Sequence, residues 1–136
     1  VSEKRKRLIE EGKLIINSGG SELDRWFNDR HIEMTGTCMH CGGVTEKGKP
    51  TFRCSVAHLF PKAYFKSVST NPDNYIELCF YGKSCHTNFD HGIIDIIELS
   101  CFDKVIEKFI KIYPFIDSKE KRRIPDVLLN YLETEL

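Results

Sequence analysis

The sequence predicts an α+β fold: a small core of short strands with helices on both flanks. Three observations predict it. Two cysteine pairs, Cys38-Met-His-Cys41 and Cys79-Phe-Tyr-Gly-Lys-Ser-Cys85, bracket the middle of the chain. Between them lie two short β-prone runs, 51–57 and 75–79. Before and after this region, apolar residues recur at helical spacing. The 136 residues suffice for one domain with one modest core. Residues 1–35 form the helical N-terminal flank, 36–92 the core and 93–136 the C-terminal helices.

The elements follow in order. Residues 2–17 read as a charged helix carrying Leu8, Ile9, Leu14, Ile15 and Ile16, ended by Asn17-Ser18-Gly19-Gly20. Ser21 is a suitable N-cap for a second helix through about Met34. Trp26, Phe27 and Arg30 sit at helical spacing there, with Trp26 in the core. Thr51 to Ala57 reads as a strand that ends at His58. Residues 61–73 hold two prolines and several small polar residues, so they read as loop with one helical turn. Tyr75 to Cys79 reads as a second strand, and a helix begins near Cys85 and runs through Asp90.

The last third is helical. Ser100 is placed to cap a helix in which Phe102, Val105, Ile106, Phe109, Ile110 and Tyr113 share one face. Pro114 stops it. Asp117 with Glu120 has the spacing of a capping box. Pro125 suits the first turn of a final helix carrying Val127, Leu128, Tyr131 and Leu132.

Thiolates in two such pairs can hold a zinc ion and join two distant strips of chain. Cys38, Cys41, Cys79 and Cys85 are the expected ligands, with Cys54 and His40 in reserve because the second pair is widely spaced. A site of four cysteines is closed, so this zinc is expected to be structural. Gly42 and Gly43 let backbone amides approach the sulfurs. Of the six cysteines, Cys54 and Cys101 remain as small hydrophobes. Metal-like spacing and the absence of a signal-like segment near Val1 point to a reducing, cytoplasmic setting. No stretch is apolar enough to cross a membrane.

Lys and Arg number 20, as do Asp and Glu, so the formal net charge is zero. That balance counts mildly against nucleic-acid binding. Local clusters weigh the other way: Lys4 to Arg7, the run Lys119, Lys121, Arg122 and Arg123, and Lys62 with Lys66 beside His58. On a solvated helix face such runs need no ligand, whereas beside a metal site they can hold phosphates.

The stretch Ala57-His58-Leu59-Phe60-Pro61, then Asn74 to Cys79, then Cys85-His86, resembles the HNH endonuclease family. The likeness covers roughly residues 36–92. It implies a ββα-metal finger and a metal-dependent DNA endonuclease that hydrolyses phosphodiester bonds, on double-stranded DNA, in phage or restriction settings. His58 resembles the general base, Asn74 the asparagine that orients loop and base, and His86 a ligand of the catalytic divalent metal. Asp90, one helical turn beyond, resembles a second ligand for magnesium or another divalent ion. Two departures stand out. The Cys79–Cys85 loop is longer than the family's, and Ala57 stands where many members place a metal-binding Asp or His. Asp90 with water, or Asp73 or His91, are the replacements the sequence offers. The alternative is a zinc-stabilised module that binds nucleic acid or protein without catalysis. Beyond the reserve roles of His40 and His91, no constellation lifts His31, His40 or His91 above ordinary surface or core histidines.

Overall fold

The computed structural model describes residues 21–135. The helix expected over 2–17, its glycine stop and the Lys4–Arg7 run lie outside these residues. The first described helix, α1, spans Glu22–Glu33. Ser21 caps it, its hydroxyl accepting the Asp24 amide at 3.0 Å, and Met34 closes it in extended conformation.

Two short strands follow, β1 at Val56–Ala57 and β2 at Ile76–Glu77. They pair antiparallel, Val56 opposite Glu77 and Ala57 opposite Ile76. The strand expected over 51–57 is shorter than its alternation implies, because Phe52–Ser55 wind into a 3-10 turn first. That turn lets the Ser55 hydroxyl accept the Glu46 amide at 3.0 Å. The loop beyond His58 carries one 3-10 turn, Lys66–Val68. Helix α2, Cys85–Asp90, packs on β1.

Helix α3 spans Phe102–Ile112. Val105, Phe109 and Ile112 are buried, with Phe102, Ile106, Ile110 and Tyr113 packed at the core's edge. Ser100 does not cap it. Cys101 holds the cap position, and the Ser100 hydroxyl donates instead to the Met39 and His40 carbonyls. Beyond Ile112 the chain continues as a 3-10 turn, Tyr113–Phe115, which contains Pro114, before α4 at Ser118–Lys121. Asp117 caps α4 through the Lys119 amide. Glu120 does not complete a capping box, because its carboxylate accepts the Ser67 amide and hydroxyl across the fold. Helix α5, Asp126–Glu135, follows Pro125; it buries Leu128 and Leu132 and leaves Val127 and Tyr131 exposed.

The described residues form a mixed α+β structure with a two-stranded sheet at its centre. Strand alternation divides two apolar clusters between the faces of β1. Ala57 belongs to the larger, with Phe60, Ile76, Leu78, Phe109 and Leu128. Val56 belongs to the smaller, with Trp26, Met34 and Phe52. No helix among the described residues is long and apolar enough to cross a membrane.

Candidate functional site

The four paired cysteines converge. The sulfurs of Cys38, Cys41, Cys79 and Cys85 all lie within 4.8 Å of one another. Cys41 Sγ and Cys79 Sγ are 3.6 Å apart, close to the ~3.8 Å edge of a tetrahedron with zinc–sulfur bonds of about 2.3 Å. Donor type, number and spacing fit a structural zinc. Cys54 and His40 are not part of the group: the Cys54 carbonyl accepts a His86 ring nitrogen, and His40 Nδ1 accepts the Ser100 amide at 3.0 Å. All six thiols are free of disulfides.

The local chain explains the convergence. The Cys38 amide donates to the Gly43 carbonyl at 2.7 Å, and the Cys41 and Gly43 amides approach Cys38 Sγ and Cys41 Sγ, each at 3.4 Å. Gly42, at φ +78°, makes that turn without a side-chain penalty. The long Cys79–Cys85 loop is absorbed by two left-handed residues, Gly82 at φ 72° and Ser84 at φ 53°. They return the chain so that the His86 amide donates to the Cys79 carbonyl at 3.0 Å. Burial holds the Cys79 and Cys85 thiols above their usual pKa. Burial also opposes ionisation of Cys41, yet the Gly43 amide and the neighbouring thiols bring it down to about 7.

Glu77 fastens this knuckle to the sheet. Its buried carboxylate accepts the Thr35 and Gly36 amides at 2.8 and 2.9 Å and the Thr45 hydroxyl at 2.6 Å. Nothing in the sequence separates this glutamate from an ordinary strand residue, since its partners come from a distant loop.

Beside the knuckle, His58, His86 and Asp90 line one cleft of ≈ 300 Å³ with Pro61, Lys62, Ala63 and Tyr64. His58 Nε2 lies 2.9 Å from the Ser69 carbonyl. A carbonyl only accepts, so Nε2 carries the proton and Nδ1 keeps the lone pair. Trp26 stacks on the imidazole at 4.3 Å and 14°, and Phe27 meets it edge-on at 5.9 Å. The sequence marked Trp26 only as core; its contact with His58 needs the chain to fold back. Burial pushes the His58 pKa below its usual value; the Ser69 bond opposes this and the Lys62 charge adds to it.

Asn74 is fully buried and holds both ends of the loop that carries Ser69. Its Oδ1 accepts the Phe60 amide at 2.8 Å, and its Nδ2 donates to the Phe60 and Val68 carbonyls, each at 3.0 Å. It therefore acts on His58 through the loop.

His86 is turned by its Nδ1–H, which donates to the Cys54 carbonyl. Its Nε2 lies 3.1 Å from Asp90 Oδ2, near the ~3.0 Å expected between adjacent ligands of an octahedral ion bound at about 2.1 Å. Burial alone would lower the His86 pKa, but its bonds to Asp90 and to Cys54 carry it above the usual value. Ala57 contributes no ligand: it is 0% exposed and packed in the larger core. Neither Asp73 nor His91 lines the cleft. His31 is structural, stacked on Phe52 at 3.9 Å and accepting the Gly48 amide at 2.9 Å.

This chain is thus an α+β protein with a four-cysteine centre able to hold a metal such as zinc. Comparison with family models, curated proteins and solved structures gives no match.

Proposed function

We propose that the protein is a metal-dependent DNA endonuclease, with β1, β2 and α2 as a ββα-metal finger and the sulfur-bound zinc as its structural support. One observation carries this reading: an oriented imidazole and a His–Asp pair share one cleft. His58 Nδ1 takes the proton from the attacking water. Its low pKa keeps it unprotonated near neutral pH, as a general base requires. Asn74 and the Ser69 carbonyl fix its direction, and Trp26 fixes its plane.

His86 Nε2 and Asp90 Oδ2 would hold a magnesium or other divalent ion. Such an ion, when bound, supplies charge stabilisation for the phosphate and the leaving oxygen. Lys62, in the cleft wall, supplies a positive charge that holds the DNA backbone. Duplex DNA is the substrate that the family resemblance implies.

The test is nicking of supercoiled plasmid with added magnesium. His58→Ala is expected to slow nicking by roughly two orders of magnitude with zinc content intact. Undiminished nicking by that variant refutes the assignment. The buried Ala57 favours the second reading, a zinc-stabilised binding module, since only His86 and Asp90 then serve as side-chain ligands. Salt-sensitive DNA binding without cleavage under any divalent ion would select it.

A further inference from the structure

A second cavity, of ≈ 580 Å³, opens directly beside the His58 cleft. Pro61 and Tyr64 line both. Its size falls in the ~300–1,000 Å³ range of small-molecule sites. Leu59 and Phe65 lie at its buried side, Phe89 is half-buried in its wall, and the Tyr64 ring is 58% exposed at its edge. Asp95 and Arg123 add a carboxylate and a guanidinium to this apolar lining.

These parts are set in place before anything binds. Arg123 Nη1 donates to the Tyr64 carbonyl at 2.8 Å, and the guanidinium lies 5.6 Å from the Tyr64 ring centre. Asp95 caps the 3-10 turn Ile96–Glu98, its Oδ1 accepting the Ile97 amide at 3.4 Å. Gly92, at φ +73°, leaves open space where a side chain would project.

We propose that this cavity receives one unpaired nucleobase of the DNA, from the nucleotide beside the phosphate held in the His58 cleft. The inference rests on the nuclease reading of that cleft. The chemistry selects a base over an aliphatic ligand. Apolar and aromatic walls suit a heterocycle, and a base edge offers both an N–H for Asp95 and an acceptor for Arg123. Continuity with the cleft supplies the geometry, because a strand whose phosphate sits against Lys62 passes Tyr64 at once. Such a nucleotide has left the duplex stack, so bulged, gapped or frayed DNA is the preferred form.

The experiment reads binding, not cleavage. The zinc-loaded full chain, without added magnesium, is titrated with duplexes carrying 2-aminopurine either in a one-nucleotide bulge or fully paired. The bulged duplex is expected to bind about tenfold tighter, the scale of one base–aromatic stack, with a change in 2-aminopurine emission. Tyr64→Ala and Asp95→Asn are each expected to remove most of that preference. Tyr64 is exposed and Asn retains the capping oxygen, so both variants should fold, which zinc content and thermal melting verify. Equal binding of the two duplexes, or a preference that both variants keep, overturns the proposal. Preference here with no nicking in the separate magnesium-supplemented plasmid assay sinks the nuclease reading and leaves the base site standing; nicking there without preference here does the reverse.

Discussion

At the residue scale, the two histidines of the cleft are driven in opposite directions. His58 is pushed down by burial and by Lys62, and His86 is carried up by Asp90 and the Cys54 carbonyl despite its burial. Environments that separate two like groups in this way assign them different tasks. Because folding lowers the His58 pKa, its contribution to stability is full above about pH 6.5 and fades as pH falls toward the folded value. In metal-free protein His86 has the opposite sign: its contribution is full below about pH 6.5 and is lost as pH rises through its raised pKa. The acid limb of nicking should therefore lie below about pH 6.5. Lys62→Gln should move it upward, and an NMR titration of the His58 ring should follow the same shift. A limb that stays in place in this variant would contradict the electrostatic account. The sequence singled out His58, His86 and Asn74 by order and spacing, which survive in one dimension, and the fold brings His58 and His86 to one cleft. Trp26, Ser69 and the Cys54 carbonyl were not, since their contacts join segments brought together only by folding.

At the scale of elements, the sheet is too short to hold itself, and side chains do that work. The Glu77 carboxylate gathers the loop of Thr35 and Gly36 and the Thr45 hydroxyl onto β2. Glu77→Gln replaces one accepting oxygen with a donor that faces other donors. It is expected to cost about 1–3 kcal/mol, visible as a lower midpoint in urea unfolding with zinc present. The sequence named most helices correctly, because caps and apolar spacing are local signals: Ser21 caps α1 and Asp117 caps α4. It misassigned Ser100 and Glu120. Both have the right residue type at the right offset, but each has a distant partner, the Met39 carbonyl at 3.2 Å for Ser100 and the Ser67 amide at 3.2 Å for Glu120. The long strand over 51–57 failed for a related reason. Alternation cannot reveal that Ser55 is bent away to serve the Glu46 amide.

At the scale of the molecule, the sulfur centre and the cleft share a single piece of chain. Cys85 and His86 are consecutive in the first turn of α2, and the His86 amide is tied to the Cys79 carbonyl. Removing the metal should therefore disturb the cleft as well as the knuckle. Chelation is expected to expose the four clustered thiols to Ellman's reagent and to lower the melting temperature sharply, with zinc addition restoring both. Thiols equally reactive before and after chelation would show that no ion was held. The α+β class and the cysteine set were readable from spacing alone. The cavity beside the cleft was not, since its walls come from the His58 loop, α2, the Ile96–Glu98 turn and the segment around Arg123.

The indole that lies flat on His58 belongs to the chain's sole tryptophan. An imidazole that gains a proton becomes electron-poor and draws charge from an excited ring pressed against it. The protein thus carries a built-in optical gauge: ultraviolet emission, recorded without any dye, should track the ionisation of this one imidazole.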